Sequence, residues 1–212
     1  MAKAKRTGTG GNKLAQLTAA RDDGRILRIH RRTIDVHHLD VFVVGVGSEW
    51  VLVQPVRDRI DLDGYEALRL KDITKVEDSP RATFLGAVLK LRKQKPKAVK
   101  KVALDTVDGL LLSASRGWQL VAVHREKVDP DVCEVGRVRE ANAKTYVLHP
   151  VDLEGVFERE LETFPSRDVT RVDFGNGYEE ALAMAGGMTM PKTSARTKKK
   201  TSAKRGRTAS KA

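Results

Sequence analysis

Asp72-Ile73-Thr74-Lys75-Val76-Glu77 and Asp168-Val169-Thr170-Arg171-Val172-Asp173 follow one pattern, 96 residues apart: Asp, an aliphatic residue, Thr, a cation, Val and an acid. Two further pairs lie N-terminal to them in the same order. Ile60-Asp61-Leu62-Asp63-Gly64 answers to Val151-Asp152-Leu153-Glu154-Gly155, and Ile29-His30-Arg31-Arg32-Thr33-Ile34-Asp35 answers to Val123-His124-Arg125-Glu126-Lys127-Val128-Asp129, at offsets of 91 and 94. Small insertions suffice to align two units, so the chain of 212 residues contains a duplication. One repeat of this length reads as two related domains, whereas a solenoid repeats every ~20–50 residues. Units this small are near the limit at which a core is stable alone, so the two are expected to support each other.

Within each unit the hydrophobic period changes from helical to alternating. Asn12 is placed to cap a short helix carrying Leu14 and Leu17, which ends near Asp23-Gly24. Strands are expected from Ile26, over Val41 to Val46, Trp50 to Val56, Tyr65 to Leu70 and Ile73 to Glu77. Gly47-Ser48 joins the second and third of these as a hairpin. Ala82 to Leu91 reads as a helix packing through Phe84, Val88 and Leu91. The second unit repeats the plan. A helix covers Leu104 to Ser115, and strands cover Leu120 to His124, Cys133 to Arg139, Thr145 to His149, Val156 to Leu161 and Val169 to Phe174. Phe164-Pro165-Ser166 marks a loop, and Tyr178 to Met184 closes the unit as a helix.

The expected fold class is mainly β with short helices (α+β): two pseudo-symmetric five-stranded β-barrels in tandem. Residues 1–13 form a disordered basic N-tail, 14–91 the first barrel, 92–103 a solvated basic linker, 104–185 the second barrel and 186–212 a disordered basic C-tail. Val41 to Val53 resembles the second and third strands of the Sm-like small β-barrels, with SH3-like barrels as architectural neighbours. Tyr65 to Glu77 is similar to the last two strands of that core. The resemblance implies a ring-forming, RNA-binding barrel family that binds through residues in two loops. Those residues do not carry over, because the family's second motif, Arg-Gly or Lys-Gly, stands here as Lys71-Asp72 and Arg167-Asp168.

The net charge is +12, and its placement is more telling than its size. Residues 1–13, 90–101 and 191–212 carry four, seven and nine Lys or Arg and no Asp or Glu. The remainder holds 20 basic against 28 acidic residues, so acidic units carry basic attachments. Lys192, Arg196, Lys198, Lys199, Lys200, Lys204, Arg205, Arg207 and Lys211 are spaced by Ala, Ser, Thr and Gly, similar to the Lys/Ala-rich tails of nucleoid proteins. Such a chain can lie along phosphates and release counterions. No aromatic residue interrupts it, so low sequence specificity is expected.

The paired residues read as fold determinants. His30 and His124 are expected on strands, bonded to carboxylates such as Asp35 or Asp129, and Asp72 and Asp168 at sharp bends, accepting from backbone N–H groups. Cys133, aligned with Phe42, reads as a small buried core residue. No nucleophile, base and orienting group converge, and His37-His38 point to opposite faces of a strand, so no enzyme, cofactor or metal site is expected. The leading reading is a non-enzymatic nucleic-acid-associated protein that binds DNA or RNA backbones nonspecifically. Its acidic barrels would hold a protein partner or form a homo-oligomer. The alternative is a protein-interaction or assembly module whose tails serve solubility or localisation. No apolar stretch long enough to span a membrane and no signal segment is present, which points to the cytoplasm and, with these tails, to the nucleoid.

Overall fold

The computed structural model describes residues 9–99 and 101–188. It is mainly β with four helices. Helix α1 (Thr9–Asp23) precedes strands β1 (Ile26–His30), β2 (His38–Val46), β3 (Trp50–Pro55), β4 (Tyr65–Arg69) and β5 (Lys75–Asp78), and α2 (Ala82–Leu91) closes the first unit. The second unit follows with α3 (Val107–Gly117), β6 (Val121–His124), β7 (Cys133–Ala141), β8 (Thr145–Pro150), β9 (Glu162–Pro165), β10 (Arg171–Phe174) and α4 (Gly177–Ala185). Helix α1 begins three residues before the expected Asn12 cap.

The strands join in one open ten-stranded antiparallel sheet, ordered β5-β1-β2-β3-β4-β10-β6-β7-β8-β9. Each unit contributes five neighbours in the same internal order, with its last strand beside its first. The join is the pair β4·β10, in which Arg171 faces Leu68, Val172 faces Ala67, Asp173 faces Glu66 and Phe174 faces Tyr65. Ala67, Leu68 and Val172 are fully buried there, so the seam is as dry as the interior of either unit. Tyr65 stacks on Phe174 at 5.9 Å, and Trp118 lies 4.3 Å from the same ring.

The core confirms that the units depend on one another. One cluster lies within the first unit, where Leu17 and Ala20 of α1 cover Leu27, Ile29, Val41, Val43, Val51, Val53 and Leu68. The largest cluster crosses the seam: Trp50, Leu52 and Ala67 pack with Leu110, Leu111, Ala114, Tyr146, Val172 and Phe174. Gly45 marks an irregularity in β2 and the equivalent stretch of β7 has one between Val138 and Glu140, so both long strands bend at matched places.

Four expectations are corrected. The strand placed at Val156 to Leu161 is a loop with a single bridge, Val151 to Phe157, and β9 runs through Phe164 and Pro165 instead. Proline is tolerated there because β9 is an edge strand. Leu104 is not helical; it is buried ahead of α3, and its carbonyl accepts from Trp50 N at 3.0 Å. Helix α2 has the expected bounds but packs through Leu85 and Leu89, while Phe84 and Leu91 are 54% and 83% exposed. Cys133 is exposed, and it faces His124 as His38 faces His30, so its counterpart is His38 and not Phe42.

Candidate nucleic-acid interface

The segment between α2 and α3 is fixed to the body by alternate residues. Gln94 N donates to Leu89 O at 2.9 Å, while the Gln94 side chain accepts from Leu62 N at 2.8 Å. Lys97 N donates to Gln54 Oε1 at 3.0 Å, and Ala103 N to Ser113 Oγ at 2.9 Å. Val99 and Val102 pack on the seam-crossing core. The segment is therefore a docked strap and not the solvated linker expected from its Lys-rich composition. Gly47 permits the docking, since a Cβ there would stand 2.3 Å from Leu104 O.

Docking of the uncharged residues turns the cations outward. Lys90, Arg92, Lys93, Lys95, Lys97 and Lys101 are all exposed. Among the described residues none of them pairs with a carboxylate; Arg92 donates to Ile60 O at 3.3 Å. At the end of the strap a cleft of about 450 Å³ is lined by Lys101, Val102, Ser113, Arg116, Gly117 and Trp118. This adds Arg116 and one edge of an indole to the cationic row.

The cations of the sheet behave in the opposite way. Arg28 holds Asp40 at 3.0 Å, Arg57 holds Glu66 at 2.8 Å, and Arg125 pairs with Glu134. Arg31 of the first unit pairs with Glu126 of the second, and Arg171 joins Glu126 at 3.4 Å to Asp173 at 3.2 Å. Of these pairs Arg31–Glu126 bridges the two units and the others brace one unit each, while Arg137 and Arg139 of β7 bond to Gln119 and His149 instead of a carboxylate. Burial pushes the Glu126 carboxyl up, but Arg31, Thr170 and Arg171 outweigh it and hold the group below the usual range. Glu66 goes the other way, because complete burial and the facing Asp173 raise it beyond what Arg171 and Arg57 return.

The paired residues of the sequence occupy matched positions with structural partners. His30 Nε2 lies 2.9 Å from Glu77 Oε1 on β5, and His124 Nε2 lies 3.0 Å from Asp173 Oδ2 on β10. The partners are thus carboxylates of the adjacent strand, not Asp35 and Asp129, which accept from His37 N and Asp131 N in their own turns. Asp72 is buried and held by Arg69 at 2.5 Å and by Lys127 of the second unit at 2.5 Å, so cations replace the expected backbone donors. Asp168 lies 3.7 Å from its exposed neighbour Arg167. Lys127 has no counterpart reaching Asp168, which explains why the pair diverges: Asp72 faces the seam and Asp168 follows the edge strand β9.

Lys192, Arg196, Lys198, Lys199, Lys200, Lys204, Arg205, Arg207 and Lys211 lie outside the described residues. Among the described residues no three His, Cys, Asp or Glu side chains converge as metal ligands, and no helix is long and apolar enough to cross a membrane. The strap was visible in the sequence only as a charge run; its docking through Gln94, Val99 and Val102 depends on contacts with β3 and α3 that no local pattern announces. No protein-family model, no curated protein and no solved structure matches the chain.

Proposed function

We propose that the protein is a non-enzymatic, nucleic-acid-associated protein that grips phosphate backbones nonspecifically through the strap and the basic ends. The observation that carries this reading is the division of labour among its cations: those at and beside the seam are paired with carboxylates, while those of the strap project without a carboxylate partner, as do Arg137 and Arg139 of β7. Unpaired, exposed Lys and Arg retain condensed-phase attraction for phosphates and release counterions on contact. The tail, with nine cations and neither an acid nor an aromatic residue between them, offers the same chemistry with little means to read bases.

On this reading each unit is a small barrel of the Sm-like or SH3-like kind. Support comes from the order β5-β1-β2-β3-β4, repeated as β10-β6-β7-β8-β9, from the matched irregularities in β2 and β7, and from the 3₁₀ turns Leu70–Asp72 and Ser166–Asp168 before each last strand. The acidic surface of the units is then left for protein contacts, and the cytoplasm or nucleoid is the compartment in which such tails meet nucleic acid.

The test is retention of nucleic acid at low salt by three proteins: the full chain, a chain lacking residues 188–212, and a chain with Lys93→Glu, Lys95→Glu and Lys97→Glu. The truncation is expected to lose most retention and the strap variant a further part. Unchanged retention in both overturns the reading.

A further inference from the structure

The two ends of the sheet carry segments of opposite charge on apolar ground, with Asp78 beside α2 at the basic end and Arg137 and Arg139 over Phe157 at the acidic one. At one end α2 packs Leu85 and Leu89 against Ile26 and Phe42 and turns a second apolar face outward. Phe84, Ala87, Val88 and Leu91 follow one another at helical spacing on that face; Phe84 and Leu91 are 54% and 83% exposed. Arg81 to Lys97 contains six cations and no acid. At the other end the loop between β8 and β9 exposes Leu153 at 88% and Val156 at 53%, beside Met184 of α4 at 64%. Residues 151–162 contain five acids, Asp152, Glu154, Glu158, Glu160 and Glu162, against Arg159 alone.

The joint inside the chain shows how two such units meet. The turn before β4 lies on the start of α4: Gly177 N donates to Asp63 Oδ1 at 2.9 Å, and Gly64 abuts Asn176, whose Cβ would stand 2.6 Å from a Cβ at position 64. By the duplication, Glu154-Gly155 is the counterpart of Asp63-Gly64, and Ala82 at the start of α2 is that of the start of α4. Within one chain these counterparts stand at opposite ends of the strand order, beside the unpaired edges of β9 and β5; Gly155 itself is closed against α4 of its own unit, where a Cβ would stand 2.0 Å from Leu182 O, which leaves Leu153, Glu154 and Val156 exposed around it.

We infer that a second copy of this chain seats its acidic 151–162 loop on the outer face of α2, head to tail. Leu153 and Val156 meet Phe84 and Leu91, while the loop carboxylates meet Arg81, Lys90, Arg92 and Lys93. The chain's own termini are unsuitable occupants, because residues 1–13 and 191–212 carry only cations and are repelled by α2. A contact between unlike surfaces leaves one of each free, so it extends or closes on itself instead of stopping at a two-fold dimer. This contact does not depend on nucleic acid.

Sedimentation of the nuclease-treated full chain across a concentration series tests it. Wild type is expected to associate, more strongly at low than at high salt. Phe84→Ser with Leu91→Ser changes no charge and touches only exposed positions; it is expected to weaken association by about tenfold or more while leaving nucleic-acid retention unaltered. Glu154→Lys with Glu158→Lys is expected to weaken association equally from the other side. Mixing the two variants leaves one intact joint, so a one-to-one pair that grows no further is expected. A monomeric wild type overturns the inference, as does self-association of the Glu154→Lys, Glu158→Lys variant at wild-type strength or a mixture that fails to pair.

Discussion

Two glycines with nearly the same backbone conformation separate the cost of a left-handed residue from the cost of opening the seam. Gly24 has φ 65° and Gly64 has φ 64°. A Cβ added at Gly24 meets nothing within 4 Å, whereas one at Gly64 stands 2.6 Å from Asn176 Cβ and 2.8 Å from the Asn176 backbone N and Cα. Both Gly→Ala substitutions incur the left-handed penalty, about 1 kcal/mol. At Gly64 the neighbour is backbone at the cap of α4 and cannot rotate away, so overpacking adds about 2 kcal/mol. Gly24→Ala should therefore lower stability by about 1 kcal/mol and Gly64→Ala by about 3 kcal/mol. For a protein of this size the gap corresponds to about 4–8 °C in Tm. Guanidinium unfolding and calorimetry on both variants read it directly. Equal losses would refute the claim that the first unit's turn closes on α4, and with it the seam as drawn.

Other consequences follow from the buried charges. Glu179, 4% exposed, is pushed up to about 7 by burial and then by Asp173 and Asp63, against the help of Asn176. The folded chain thus holds a proton that the unfolded chain has released, so this group stabilises below about pH 4.5 and loses its contribution as pH rises through 7. The loss is about 3 kcal/mol at most, and Glu179→Gln should flatten the stability profile between those limits. Asp72 and Glu126 act with the opposite sign: cations hold both below the usual carboxylate range, so their contribution is present above about pH 4 and vanishes as pH falls through their depressed values. Asp72→Asn should cost about 3 kcal/mol by leaving Arg69 short of its partner, whereas Lys127→Ala, at a side chain 46% exposed, should cost about 1 kcal/mol or less in urea unfolding. If half of the nine tail cations engage phosphates, the logarithm of the affinity should fall with the logarithm of salt at a slope of about −4; a slope near zero for the full chain would exclude backbone binding.

The duplicated Asp-Thr-Val strands, the Gly47-Ser48 hairpin and most element bounds are local matters, and the sequence alone determines them, because side-chain period and turn chemistry act over a few residues. The division into acidic units and basic attachments is likewise a property of composition. Which surfaces meet is another question. Helix α2 is apolar on two faces, and only packing on Ile26 and Phe42 selects Leu85 and Leu89 over Phe84 and Leu91. Apolar content made Val156 to Leu161 resemble a strand, although the strand that pairs with β8 is the Pro-containing β9. His30, His124 and Asp72 take partners 47, 49 and 55 residues away, Glu77, Asp173 and Lys127, beyond any local pattern. Most decisively, two sets of five strands become one sheet because β4 and β10 each present an unpaired backbone edge and a buried aliphatic pair, Ala67 with Val172. Edge hydrogen bonds and apolar burial are satisfied between distant segments, so only the tertiary structure decides that the repeats share a seam and turn the strap's cations outward.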